Sequence, residues 1–367
     1  NYIDQRVLWV PSYAPQAGVT AAAFTAAGLQ LARPQNWWTV LLRFTHDMSA
    51  SPHVWASAGF VLVAFVWSVG RLRKQIARFG DAAHGSLEAG MRPTFTVVLL
   101  TVLAASPAPA VLWFLASRLT AAPGVDSFSR AFATTMSVVA PIWATIACVR
   151  QSLRRGGLAE KHFGLPTQIS APARRSLWRL AAVGLPTAAV AAMFESLEPL
   201  EAQASLGRVC FCVAIFCVYR AAAIVAHPSR GLVVRLTGDD TDEFRTRLRR
   251  LWYIAASTPP VVLIGLSIAG YHYAAVQLAC RLQETIWLTL GCVALRALLW
   301  RWLAVARKRL AVKQVGLSAP VRLDATTEVA SGSHQAGEAD ERRTVRQMQG
   351  HLKSIDIQTR RLLNSFG

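Results

Sequence analysis

The sequence predicts an all-α fold, a polytopic bundle of membrane-spanning helices. Three observations carry this. Apolar residues make up 53% of the chain and the mean hydropathy is +0.33. Those residues lie in long blocks. The Lys and Arg behind the net charge of +19 fall between the blocks, as expected where a hydrocarbon core excludes charge and leaves it in the loops. A water-soluble chain this basic would point to nucleic acid. The apolar blocks argue against that partner.

A span needs about 20 mostly apolar residues, and roughly seven such stretches are present. They cover 52–70, 93–117, 128–149, 177–194, 206–226, 251–271 and 282–303. Residues 1–51 read as a periplasmic or interfacial approach to the first of them. Within that approach the Ala-rich run 17–32 has a low density of Leu, Ile and Phe and ends at RPQNWW. It reads as an interfacial or re-entrant helix in preference to an eighth span. Several spans carry Pro mid-way: Pro107 with Pro109, Pro141, Pro186, and Pro259 with Pro260. Neighbouring helices in a bundle can absorb such kinks. Bendable helices are the functional reading and static kinks the plainer one.

Loop charge is asymmetric. Arg71, Arg73, Lys74, Arg150, Arg154, Arg155, Arg174, Arg175, Arg247, Arg249, Arg250, Arg307, Lys308 and Arg309 all fall in one set of loops or at their borders. The alternating set holds Arg118, Arg130, Arg208 and Arg281, with Glu195, Glu198 and Glu201. The positive-inside rule then puts the N-terminus in the periplasm and the C-terminus in the cytoplasm of a bacterial inner membrane. The basic face would meet the anionic inner leaflet of the lipid bilayer. Residues 304–341 read as a basic exit followed, from 314, by a flexible linker. The stretch 342–367 reads as an amphipathic helix with Val345, Met348, Leu352, Ile355, Leu362 and Phe366 on one stripe. That helix could lie on the leaflet, pack on a neighbour or lead into another span.

The search for chemistry returns little. There is no phosphate-binding loop, no zinc-protease motif and no nucleophile elbow. No enzyme and no cofactor are expected. Cys210 and Cys212 form a C-x-C without ligating neighbours, which reads as span filler and not as a metal site. Only Cys280 approaches the sparsely charged face, so no external disulfide is expected. Asp239, Asp240, Asp242 and Glu243 could bind a divalent cation. They read better as a helix start, with Asp240 as cap and Glu243 three residues on. Arg296 is the one charge well inside a span. An anion site or gating charge is the functional reading; snorkelling toward Arg301 is preferred.

The segment 270–311 resembles the closing part of the inner-membrane domain of the large mechanosensitive channels. These are the long relatives of the bacterial mechanosensitive channel of small conductance, the potassium-dependent one included. The similarity lies in Gly270, Tyr271, His272 and Tyr273; in Gln277, Leu278, Arg281, Leu282, Thr285 and Trp287; and in RWLAVARKRLA, which carries Arg307, Lys308 and Arg309. YIDQRVLWVPSYAP, GLAEKHFG and IDIQTRRLL are similar to other parts of the same domain. The resemblance implies a membrane paddle that couples bilayer tension to a pore, in osmotic protection. It implies further that the chain is an internal piece of a longer channel. The pore and cytoplasmic domain would lie elsewhere in that protein, a homo-oligomer would form through them, and this piece alone would not conduct. A small-solute transporter and a membrane scaffold for a partner protein are the alternatives. The transporter lacks support from inverted repeats or mid-span carboxylates.

Overall fold

A computed structural model describes residues 21–85, 92–121, 124–161, 167–197, 203–227 and 243–318. The Asp239–Asp242 cluster, most of the linker and the 342–367 helix lie outside these residues. Every regular element among the described residues is helical. In hydrocarbon this is the expected solution, because a helix satisfies its own backbone groups.

The chain begins with a short pair, α1 (Ala21–Ala32) and α2 (Pro34–Ala50). The twelve described residues of α1 rise about 18 Å. The sequence reading missed α2, whose mixed polar and aromatic residues carry no span signature. Pro34 opens it, its missing N–H costing nothing in a first turn. The long helix α3 (Pro52–Gly85) follows.

The predicted span 93–117 is two helices, α4 (Arg92–Ala105) and α5 (Pro107–Ala121), bent by 50°. The reason is local. Leu103 and Ala105 would accept from the N–H groups of residues 107 and 109, and both are Pro. The Leu103 carbonyl instead takes the Ser106 N–H (3.3 Å) and the Ser106 hydroxyl (3.0 Å).

Next come α6 (Ser127–Ser152), the single turn α7 (Leu158–Lys161) and α8 (Thr167–Arg179). A π-helical segment, Leu180–Gly184, joins α8 to α9 (Leu185–Glu195). It sits just ahead of Pro186, which cannot donate, and the Leu185 N–H reaches back to the Leu180 carbonyl. A second π segment, Gln203–Gly207, leads into α10 (Arg208–Val225). The last two helices are α11 (Glu243–Ile268) and α12 (His272–Ser318). Unlike the pair at 107 and 109, Pro259 and Pro260 leave α11 a single helix. Residues 314–318, read as linker, are helical.

Among the described residues six helices are long and apolar enough to cross a membrane, and seven if the bent pair counts as one span. Residues Asn1–Lys308 form one compact unit. Within it α6 packs on α5 and α9, and α10 on α9 and α11. One core cluster joins α1 and α2 to the bundle: Ala27 and Val40 meet Leu119, Phe128, Met193 and Phe194. Residues Arg309–Gly367 form a second unit, of which Arg309–Ser318 is described and helical.

Candidate functional site

Alternation along the chain sorts the helix ends into two groups. The start of α3, the α5–α6 turn, the end of α9, the start of α10 and the α11–α12 turn lie at one end of the bundle. The ends of α3 and α6, the start of α4 and the start of α11 lie at the other. The first end holds two polar locks.

One lock ties α2 to the bent pair. Arg118 grips Asp47 with two hydrogen bonds, Nε to Oδ2 at 2.8 Å and Nη2 to Oδ1 at 2.6 Å. This fork geometry makes a strong ion pair. The side chains are only 21% and 16% exposed. Trp55 Nε1 donates to the same Asp47 Oδ2 at 2.8 Å, and its ring stacks edge-on against Phe44 and Phe114. Asp47 lies outside the spans. Its hydrogen bonds from the Arg118 guanidinium hold its carboxyl below the usual aspartate value, against a smaller opposing effect of burial. Beside it Asp126 caps α6 by accepting the Ser129 N–H at 3.1 Å, with Arg43 3.8 Å away.

The other lock joins the ends of α9, α10, α11 and α12. Gly270, at φ 99°, turns α11 into α12. The Tyr271 N–H bonds the Leu266 carbonyl at 3.0 Å and the Gly270 N–H the Ser267 carbonyl at 3.3 Å. This pattern needs a left-handed residue, hence glycine. The turn delivers His272 into the bundle. Its Nδ1 shares a hydrogen bond with the Ser267 hydroxyl at 3.0 Å, and its Nε2 lies 3.7 Å from Glu195 Oε2. The ring meets Phe211 edge-on. Arg208, only 6% exposed, donates from Nη2 to the Ile268 carbonyl. Ser267, His272 and Glu195 are strung in the order of a hydrolytic triad. Ser267, however, is fully buried, so its hydroxyl cannot meet a substrate and the arrangement is a tie between helices. An apolar groove of about 490 Å³ runs alongside, walled by Arg208, Val209, Phe216 and Ile268 among others. Among the described residues no group of three His, Cys, Asp or Glu could hold a metal.

The residues picked out from sequence are dispersed. Pro107 opens α5 and Pro109 is buried within it. Pro260 is fully buried in α11. Tyr271 and Tyr273 are half-buried at the α11–α12 turn, flanking His272. Arg296 is exposed on α12 and Arg307 half-buried further along it, while Lys308 and Arg309 continue the same helix. The two proline pairs stand in helices with different main neighbours, α6 for one and α10 for the other. Asp47, Arg118, Ser267 and the role of His272 were missed. Asp47 and Arg118 are 71 residues apart, and no local pattern links them.

Residues 52–367 match the family described as mechanosensitive ion channel inner membrane domain 1. Over 221 residues, 59% of the chain, the sequence is 26% identical to the miniconductance mechanosensitive channel MscM of Escherichia coli strain K12. The match spans 19% of that relative's length. No solved structure matches the chain.

Proposed function

Because the chain belongs to the family of mechanosensitive ion channel inner membrane domains, we propose that it is the tension-responsive, non-conducting membrane part of such a channel. The family match over 52–367 carries this reading. The pore it serves lies in another part of the protein, through which copies assemble. Bilayer tension favours whichever state of a bundle occupies more area or tilts its helices differently. The bent pair α4–α5 is the element suited to this. Arg118 holds one end of it to Asp47. Near the other end Val97 is packed against Ile76 and Leu158. Flattening the 50° bend between fixed ends would change the in-plane spacing of α3 and α6. The charge asymmetry supports an orientation with the locked end periplasmic and the arginine-rich end on the anionic inner leaflet.

Spin labels at Leu99 and Trp113, both exposed on the two limbs, test this in vesicles. Lysolipid added to one leaflet should shift their distance distribution, while patches holding this chain alone should show no tension-activated current. An unchanged distance, or single-channel currents from the chain alone, would overturn the reading.

A further inference from the structure

We propose that Arg73, Arg150 and Arg154 form a binding site for a phosphate group at the arginine-rich end of the bundle. The inference rests on the packing there. Ile76, Val97 and Leu158 form a buried cluster that seats the end of α3 and the start of α4 on the turn after α6. Arg73 precedes Ile76 by three residues, so both lie on the face of α3 that meets this turn. Arg154 stands in the turn itself. Arg150 is the basic residue in the last turn of α6. The packing of α3 on α7 brings Arg73 toward the turn that carries Arg154, with Arg150 one helical turn before it.

Converging like charges on packed elements repel, and such a group is ordinarily neutralised by a carboxylate. Among the described residues none of the three has a carboxylate at ion-pair distance. The carboxylate of this turn, Glu160, is engaged elsewhere and accepts the Gly156 N–H at 2.7 Å. All three guanidinium side chains remain exposed. One turn before Val97, the buried Thr94 hydroxyl has no hydrogen-bond partner, a further polar group on the same face of α4.

The depth is that of a headgroup. Trp67 is exposed on α3 and carries the Arg71 guanidinium 3.6 Å over its ring. Such an aromatic–cation pair belongs at the membrane–water boundary, and Arg73 follows two residues later. Guanidinium groups suit a phosphate because their planar donor forks match its oxygens. The ligand is therefore a phosphate mono- or diester, carried by a lipid headgroup or by a soluble compound.

The test uses the full chain in phosphatidylcholine nanodiscs, titrated with phosphatidylglycerol and read by native mass spectrometry. R73Q/R150Q/R154Q is compared with R247Q/R249Q/R250Q, which removes the same charge from α11. The first variant should bind phosphatidylglycerol at least tenfold more weakly, the second within twofold of the native chain. Millimolar pyrophosphate then separates the sources. Competition that the first variant abolishes identifies a soluble phosphate compound as ligand, and no competition identifies the lipid. Equal weakening by the two variants, or none by either, would overturn the site. Should the triple variant fail to fold, R154Q alone, in an exposed turn, should still weaken binding about threefold to fivefold. Nanodiscs expose both faces and carry no tension. A wrong orientation or a failed tension response therefore leaves this result unchanged.

Discussion

The two ends of the bundle handle charge in opposite ways. At one end two arginines are largely withdrawn from water and committed: Arg118 to Asp47, Arg208 to the Ile268 carbonyl. At the other, Arg73, Arg150 and Arg154 are exposed and share no carboxylate among the described residues. The same residue type thus serves as a fastener at one end and as a contact for something outside the protein at the other. The difference lies in the partner. A guanidinium withdrawn from water is heavily penalised unless a partner receives it, and Asp47 and the Ile268 carbonyl are such partners for Arg118 and Arg208.

The largest effect should come from breaking the Asp47–Arg118 fork. Arg118→Leu leaves Asp47 partly buried and uncompensated, and should cost about 3 kcal/mol in SDS-driven unfolding from mixed micelles. Asp47→Leu should cost a similar amount, since Trp55 also loses its acceptor. The double variant should cost about 4 kcal/mol, less than the sum of the two single losses, giving a coupling energy of about 2 kcal/mol. Losses that simply add would show that the two side chains act independently.

The same pair sets a pH dependence. Asp47 titrates lower in the folded protein than its ordinary value of 3.8. As pH falls the unfolded chain takes up the proton first, so the pair's stabilisation is complete above that value. It is lost as pH falls from 3.8 through the lower folded value. Asp47→Asn should flatten this part of the stability curve. A slope that survives the substitution would place its origin in another carboxylate.

The second lock should be weaker per residue. Arg208→Leu frees the Ile268 carbonyl but also removes a buried charge, so about 1–2 kcal/mol is expected. Gly184→Ala should cost a similar or smaller amount, about 1 kcal/mol. An added Cβ would stand 2.7 Å from Leu180 Cδ1 and 3.2 Å from Cys217 Cβ. The Leu180 side chain can yield, whereas Cys217 Cβ is fixed to α10. Restoration of stability by C217G in the alanine background would confirm that contact.

The all-α membrane bundle was legible because hydrocarbon imposes one rule on every span, and a block of apolar residues states it directly. The break at Ser106 was half legible. Pro107 and Pro109 announced a disturbance, yet Pro259 and Pro260 announced the same and α11 remains one helix. Each pair removes two donors from its helix; the prolines at 107 and 109 are separated by one residue and those at 259 and 260 are adjacent. The helix α2 was not legible, since Asn36, Arg43 and His46 dilute its apolar face. The locks were not legible either. Each consists of residues far apart in sequence and close only once α2, α5, α9 and α12 are packed. For the second lock a cue was present: Gly270 before Tyr271 and His272 marks the turn that carries the buried histidine.

The smallest effect is expected from an ion pair at the arginine-rich end, and its smallness is informative. Glu243 and Arg247 are spaced i,i+4 on the first turns of α11, as their sequence positions predict, and their charged atoms lie 3.3 Å apart. Chemically this is the same arginine–carboxylate pair as Asp47–Arg118. It differs in burial: the side chains are 88% and 81% exposed, so water screens the charges and two long side chains lose freedom to meet. Arg247→Ala should therefore change unfolding by no more than about 0.3 kcal/mol, and raising the salt from 0.05 to 0.5 M should remove even that. Set beside the roughly 3 kcal/mol expected for Arg118→Leu, the result measures what burial and the two-bond fork add together to an arginine–carboxylate pair. An Arg247→Ala loss above about 1 kcal/mol would mean that this end, too, is fastened by its arginines, and the contrast between the two ends would fail.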